Sequence, residues 1–388
     1  MIPLASDRAR VLIVDDLETN RDLLARRVSR LGHETGFAAN GFAALEELRA
    51  SPWDMVLLDI TMPEMDGYEA LRQIKADPAL SHLPVIMVSA VDEIDSVVRC
   101  IELGADDFLS KPFNPVLLRA RIESSLNKKR LEDQKQATLR ALASELDIGR
   151  RIQTGFLPAT LPQLEGWQLA AHCEPARQVG GDFYDALRLP DGRLAITVAD
   201  VCDKGVGAAL YMALFRSLLR TSLMQARMSD EAHAMLVRTV VFTNDYIASE
   251  HGRDSMFATI FIALLEPSSG TLHWINAGHE APILWRADGE VRRLPPSGPA
   301  VGMLHGMEYG VRTDTMRPGD LLIGFSDGIC DALGPSGLFG EGRILEPPPT
   351  SATDAHEVVD TLLRRVREHV GGHAQQDDIT LLALRARA

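Results

Sequence analysis

Short apolar runs alternate with helical spacings along the first third of the chain. Val11–Val14 (VLIV), Met55–Asp59 (MVLLD), Val85–Ser89 (VIMVS) and Asp107–Lys111 (DFLSK) read as strands. Unbroken apolar runs of this length suit strands buried on both faces of a parallel sheet. Between them, Leu17–Leu31, Gly67–Ala76 and Glu93–Leu103 carry apolar residues at three- and four-residue steps, the period of a helix. The alternation predicts an open, doubly wound α/β sheet.

From Val116 to Phe156 the helical period persists without a sheet. Leu118, Ile122 and Leu126 form one group and Leu139, Leu142 and Leu146 another, with the nearly all-polar NKKRLEDQKQ between them. No proline interrupts before Pro158, so the pattern predicts a long helix, broken or loosened near Gly149. About 40 helical residues span ~60 Å. A helix of that length without a globular partner tends to pair with another helix. The expectation is a homodimer through a parallel coiled coil with imperfect heptads, and the alternative is a solvated spacer.

Beyond Gly166 strand-like runs dominate: LAAHC, LAITVAD, ATIFIALLE, LHWINAG, PILWR, LLIGFSDG and ITLLALR, separated by Gly, Pro and polar turns. Helical stretches interrupt at Gly207–Ala226, Asp230–Glu250 and Ala355–Val370. This order predicts an α+β domain of two packed antiparallel sheets flanked by helices.

A chain of 388 residues is too long for one ordinary core. Its 46% hydrophobic and 24% charged residues are those of a folded globular protein. A net charge of −14 argues against undirected binding to nucleic acid or an anionic membrane. Cys100, Cys173, Cys202 and Cys330 form no CxxC pair, so reduced thiols and a cytoplasmic location are expected. The start, MIPLASDRAR, has no apolar core of signal-peptide length, and no apolar run is long enough to span a bilayer.

Two constellations of acids change the picture. In doubly wound sheets, sites form outside the carboxyl ends of the strands. Asp15 and Asp16 follow the first strand, Asp59 the third, Ser89 the fourth and Lys111 the fifth. Any one of them could be a turn or cap residue. Together they offer a clustered set of carboxylates that a divalent cation relieves, with Asp59 able to act as a nucleophile, Lys111 to pair with acid or phosphate, and Ser89 to bond a phosphoryl oxygen. In the last two thirds, Asp182 follows a Gly-Gly turn and Asp200 ends an apolar strand. Asp327 ends another, and Asp377-Asp378 precede the last. Asp is common in turns, so each alone is weak. Gathered, they need neutralising. Two divalent cations would do so while activating a water for phosphoryl displacement.

The motifs DD at 15–16, LLDITMPEMDG at 57–67, VSA at 88–90 and DDFLSKPF at 106–113 resemble the receiver domain of two-component response regulators, a flavodoxin-like fold. The resemblance implies that Asp59 accepts phosphate from a cognate histidine kinase. It also implies that Asp16, Asp59 and the Thr61 carbonyl bind Mg²⁺ with support from Asp15, and that Ser89, Phe108 and Lys111 form the switch. For Phe108, a plain core aromatic is the alternative.

IQTGFLP at 152–158, GGDFYD, ADVCDKGVGAAL, MFATIFIALLE, INAGHEAP, GFSDGICDA and QQDDITLL resemble, in order, the metal-dependent protein phosphatase (PPM) family in its sporulation stage II E-type branch. That resemblance implies two Mn²⁺ or Mg²⁺ ions held by Asp182, Asp200, the Val201 carbonyl, Asp327 and Asp377, with Asp200 bridging. In the Asp377-Asp378 doublet Asp377 is taken as the ligand and its neighbour as a strand-start cap. Asp185 and Asp203 are read as shaping turns or holding waters, Cys202 as core packing, His279 as orienting a turn, and Arg177 as a solvated surface residue. A histidine that many relatives place after the Asp-Gly metal segment is replaced here by Val201-Cys202-Asp203-Lys204. The domains read as receiver 1–126, helical linker and switch segment 127–158, and phosphatase 159–388. The function implied is a receiver-controlled Ser/Thr phosphatase acting on a phosphorylated regulatory protein such as an anti-sigma-factor antagonist. The rival readings are a non-catalytic scaffold that binds the regulator, a DNA-binding response regulator, disfavoured by the acidic balance and the lack of a helix-turn-helix pattern, and a nucleotide cyclase, of whose GGDEF motif GGDFYD is only an echo.

Overall fold

A computed structural model describes residues 8–90, 94–225, 230–346 and 354–387. The predicted helix start at Glu93 and helix end at Ala226 lie outside them. The chain divides into two compact units, Met1–Leu142 and Ala143–Ala388. In the first, β1 (Arg10–Val14), α1 (Glu18–Arg30), β2 (Glu34–Ala38), α2 (Gly41–Ala50), β3 (Met55–Asp59), α3 (Gly67–Ala76), β4 (Val85–Ser89), α4 (Ile94–Glu102) and β5 (Asp107–Ser110) alternate. The strands form one parallel sheet in the order β2-β1-β3-β4-β5, the flavodoxin-like arrangement. Asn40 and Asp66 cap α2 and α3 by accepting from Ala43 N and Glu69 N.

Next comes α5 (Pro115–Phe156), a single helix of 42 residues. Its first turns bury Leu118, Ile122 and Leu126 beside Leu109 and Phe113 of the first unit. Beyond them Leu131, Leu139, Leu142, Ile148 and Ile152 are exposed. The expected break at Gly149 does not occur. One interior glycine costs a helix only about 1 kcal/mol relative to alanine, too little to interrupt a ladder continuous on both sides.

The second unit contains β6 (Trp167–Glu174), β7 (Phe183–Arg188), β8 (Leu194–Val201), α6 (Val206–Met224), α7 (Ala232–Glu250), β9 (Ala258–Glu266), β10 (Thr271–Ala277), β11 (Ile283–Trp285), β12 (Val291–Arg293), β13 (Arg312–Thr315), β14 (Leu321–Phe325), α8 (Asp327–Cys330), β15 (Leu333–Gly334), β16 (Gly337–Leu338), α9 (Glu341–Ile344), α10 (Ala355–Val370) and β17 (Ile379–Ala386). Two five-stranded antiparallel sheets, β13-β10-β9-β8-β7 and β12-β11-β14-β17-β6, face each other. Ile196, Phe261, Trp274, Leu322, Leu382 and their neighbours fill the space between them. The outer face of the first sheet packs on α6 and α7, and that of the second on α10. In the three five-stranded sheets, the strands that the apolar pattern did not mark, β2, β7, β12 and β13, all lie at edges, where one flank lacks a partner strand and polar residues are tolerated; the short pair β15-β16 also carries no apolar run. Among the described residues no helix is long and apolar enough to cross a membrane.

Because α5 runs unbroken through Gly149, and a Cβ there would meet only Val179 Cγ1 at 3.8 Å, Gly149→Ala is expected to stabilise the protein by roughly 0.5–1 kcal/mol. Chemical denaturation of the two proteins measures it, and a loss of stability would mean that the helix is broken in solution.

Candidate active site and receiver acidic pocket

In the first unit the strand order reverses between β1 and β3, and the chain delivers acids to that point. Asp15 and Asp59 are buried and Asp16 is exposed. Their carboxylate oxygens lie within 4.8 Å of one another. Lys111 Nζ donates to Asp15 Oδ2 and to Asp59 Oδ2, each at 2.8 Å. Asp15 Oδ1 accepts from Leu17 N at 2.9 Å and Asn20 Nδ2 at 3.0 Å, which fixes the carboxylate. Burial raises the Asp59 pKa, and the Asp15 charge adds to the rise against the pull of Lys111. For Lys111 burial works against the charge, but its bonds to Asp15 and Asp59 outweigh it and hold the ammonium pKa up. Ser89 ends β4, buried. Phe108 is half-buried on β5 against the core, and Thr61 is exposed just beyond Asp59. The oxygen donors of Asp15, Asp16 and Asp59 suit a small hard cation.

In the second unit antiparallel pairing sends four acids to one end of the paired sheets. Asp182 immediately precedes β7, Asp200 lies at the end of β8 opposite Thr259, Asp327 opens α8 after β14, and Asp377 stands just before β17. Their charges act on one another. Asp182 is held well above the usual carboxylate range by burial and then by Asp200. Asp200 is pushed up to about 7 by burial and then by Asp327, with Asp377 adding to it. Asp327 is raised by burial and then by Asp377, while Lys204 pulls the other way. Asp182 Oδ2 is buried and has no hydrogen-bond partner. A buried, unpartnered carboxylate oxygen among acids of raised pKa is a donor set that suits a divalent cation. Among the described residues only Asp15, Asp16 and Asp59 bring three such oxygens within 4.8 Å.

The two members of the Asp377-Asp378 doublet differ physically. Asp378 Oδ1 accepts from Ala176 N at 2.8 Å, and its Oδ2 accepts from Gly181 N at 2.7 Å and Asp182 N at 3.3 Å. Its lone pairs are spent on the backbone of the loop between β6 and β7. A Cβ at Gly180 would stand 2.0 Å from Asp378 Oδ2, and one at Gly328 2.0 Å from the Asp378 carbonyl, so both positions need glycine. Ser326 Oγ donates to the Asp378 carbonyl at 3.2 Å and accepts from Thr380 N at 2.9 Å. Asp377 is only half-buried, and its Oδ2 takes a hydrogen bond from Lys204 Nζ at 2.6 Å. Val201 is buried at the end of β8, with its carbonyl beneath Gly181, where a Cβ would stand 2.6 Å away.

Asp185 does not shape a turn. It lies on β7, buried, and accepts from Arg216 at 3.0 Å and Arg220 at 2.8 and 2.9 Å, tying the strand to α6. Nothing in its local sequence distinguishes this role, because the arginines lie more than thirty positions away. Asp203 is a turn residue with φ 72°, its Oδ1 accepting from Lys204 N at 2.8 Å. Cys202 Sγ accepts from Phe257 N at 3.2 Å. Arg177 is exposed near Gly205. His279 is buried in its turn. Its N–H donates to Asn276 Oδ1 at 2.8 Å, and its Nδ1 lies 2.9 Å from Thr259 Oγ1. Two contributors had no signal in the spacing. Gln153, near the end of α5, donates to the Gly180 carbonyl at 2.6 Å and accepts from Gly180 N at 3.1 Å. Lys204 is the other. A cavity of about 180 Å³ separates the end of α5 from Asp182 and is lined by Gln153, Leu157, Cys173, Met212 and Asp378.

Comparison with known proteins follows this division. Residues 190–387 match the family model of stage II sporulation protein E (SpoIIE), and residues 11–123 that of the response regulator receiver domain. Protein IcfG of Synechocystis sp. (strain ATCC 27184 / PCC 6803 / Kazusa) is 34% identical over 393 residues, covering 96% of this chain and 58% of that protein. The chain therefore spans under two thirds of that relative. Response regulator PleD of Caulobacter vibrioides is 40% identical over 116 residues, 30% of this chain and 26% of that protein. Among solved structures, the SiaA-PP2C domain of Pseudomonas aeruginosa has a TM-score of 0.55 at 24% identity, covering 64% of this chain and 98% of that one. The structure of the RsbU and RsbW domains of Rv1364c from Mycobacterium tuberculosis has a TM-score of 0.51 at 28% identity, covering 60% and 63%.

Burial drives the His279 pKa from 6.5 down to about 4. The native state then binds fewer protons than the unfolded one, so this contribution to stability is full above pH 6.5 and is lost as the pH falls toward 4. Urea unfolding across that window is expected to show a pH dependence in the native protein larger than in His279→Gln, by up to about 3 kcal/mol. Equal slopes would show that the imidazole is not held neutral.

Proposed function

The chain belongs to the SpoIIE family and carries a response regulator receiver domain, and on that premise we propose a metal-dependent phosphatase under receiver control, acting on phosphoserine or phosphothreonine of a partner protein. The observation that carries this reading is the unpartnered, buried Asp182 Oδ2 among carboxylates whose pKa values burial and mutual repulsion raise. A scaffold that only bound its partner would gain nothing from so costly a cluster.

In this reading Asp182, Asp200, the Val201 carbonyl, Asp327 and Asp377 would hold two Mn²⁺ or Mg²⁺ ions. When bound, such ions lower the pKa of water and offset charge on phosphoryl oxygens. Asp378 orients Asp182 by holding the Gly-Gly turn. In the receiver, Asp59 attacks a phosphoryl group carried on a histidine of a cognate kinase. The Oδ–P bond forms as the N–P bond breaks. Asp16, Asp59 and the Thr61 carbonyl would hold a Mg²⁺ ion with support from Asp15, Lys111 and Ser89 meet the phosphoryl oxygens, and Phe108 passes the change to the surface. Control reaches the phosphatase through α5, whose Gln153 grips Gly180 two residues before Asp182. A shift of that helix end would move a ligand. The exposed Leu131, Leu139, Leu142 and Ile152 support pairing of α5 with a second copy of the chain. The domain boundaries we adopt are 1–126, 127–158 and 159–388. Four free cysteines agree with a cytoplasmic setting. The similarity to a chain described as bearing RsbU and RsbW domains favours a partner-switching substrate such as an anti-sigma-factor antagonist.

Hydrolysis of a phosphorylated antagonist protein in the presence of Mn²⁺ tests the reading. Asp200→Ala is expected to reduce turnover by a factor on the order of 10³, and equal release by both proteins would leave only the scaffold. Beryllofluoride on Asp59 is expected to change turnover of the full chain, and no change would remove receiver control.

A further inference from the structure

Lys204 has a position that the function above does not use. Its Nζ donates to Asp377 Oδ2 at 2.6 Å and to the Gln376 carbonyl at 2.9 Å. The turn that presents it is unusual on both sides. Asp203 has φ 72° and Gly205 φ 83°, so the backbone enters the left-handed region twice around this one side chain. Strain of this kind persists where the surroundings impose it. The Asp203 carboxylate holds the turn by accepting from Lys204 N at 2.8 Å.

Composition sharpens the point. Lys204 is the only lysine between Ala143 and Ala388, and every other permanently cationic side chain there is arginine. The two are not interchangeable. A guanidinium is a broad planar fork, whereas an ammonium is a compact point charge with three donors, close in form to a bound ion. Here it meets one carboxylate oxygen and one carbonyl oxygen, ligand types that a hard cation takes. Its side chain keeps 39% of its surface exposed, so it can leave toward solvent without breaking a core.

We propose that Lys204 is an exchangeable counter-cation, standing on Asp377 in the metal-free protein and yielding that carboxylate when a divalent ion enters beside Asp327. The proposal rests on the reading of Asp327 and Asp377 as ion ligands. An ion on Asp377 Oδ2 would lie within about 5 Å of an ammonium kept on the same oxygen, a range at which like charges repel strongly. One of the two must go, and the flexible four-carbon stem is the part that can. The exchange keeps the carboxylates from facing one another uncompensated while no ion is bound. It also sets the apparent affinity for that ion, because the ion must compete with a tethered cation. If Lys204 occupies Asp377 nine-tenths of the time, its removal tightens binding about tenfold.

The test uses the full chain and two readouts that do not depend on turnover. Amine-reactive labelling of Lys204, followed by peptide mass spectrometry, is unambiguous because the second unit has no other lysine. Labelling is expected to rise severalfold on saturation with Mg²⁺, and to be high without Mg²⁺ in Asp377→Asn. Calorimetric titration with Mg²⁺ is expected to show one of two ions binding about tenfold tighter to Lys204→Met than to the native protein. Ion binding with unchanged or reduced labelling would overturn the exchange and leave the phosphatase reading standing, even if Lys204→Met bound more tightly through the simple loss of a charge. Absence of ion binding in both the native protein and Lys204→Met would overturn the two-ion reading and the exchange with it.

Discussion

One carboxylate, Asp378, ties the acidic end of the second unit together. It precedes β17 in one sheet, and it spends both oxygens on three amides of the loop that leads from β6 to β7 in the other. A charge-assisted bond to a backbone amide in a dry site is among the stronger polar interactions a protein makes. Three from one residue set where the Gly-Gly turn lies, and hence where Asp182 begins its strand. The close approach leaves no room for a side chain at Gly180 or Gly328. The remaining acids follow from strand direction, since β8 ends where β7 starts and β14 ends where β17 starts.

That geometry creates a cost. Asp182 is buried and Asp200 and Asp327 are half-buried at the same end of the sheets, and burial lifts the pKa of each. Ligand sites for hard cations are built this way, with the ion supplying what the protein withholds. The first unit meets the same difficulty with the same residue type. Lys111 stands between Asp15 and Asp59 as Lys204 stands on Asp377. In each unit one ammonium on a flexible stem partly neutralises acids at strand ends, on folds that share no topology.

Between them runs α5. Its first turns belong to the receiver core through Leu118, Ile122 and Leu126, and its last reach the Gly-Gly turn through Gln153. The helix is continuous from Pro115 to Phe156. Asp185, Arg216 and Arg220 hold α6 against β7 in a separate buried cluster. The helix that opens beside Asp200 is thereby fixed to the strand that begins just after Asp182.

Sequence by itself determined the class of each unit and the identity of most acids. Buried strands announce themselves as apolar runs, and a strand that ends on Asp or Asp-Gly does so whatever surrounds it. Where the pattern fell short the reason was long range. Edge strands β2, β7, β12 and β13 mix in polar residues, which a flank without a partner strand tolerates, so no apolar run marks them. Gly149 carries a local helix-breaking preference of about 1 kcal/mol, which a long ladder overrides. Asp185 reads as a turn residue until Arg216 and Arg220 are brought to it. Spacing cannot tell Asp377 from Asp378, because what separates them is which backbone amides and which ammonium the fold sets against each. Only the tertiary structure decided that, since hydrogen bonds between residues some two hundred positions apart leave no period in the chain.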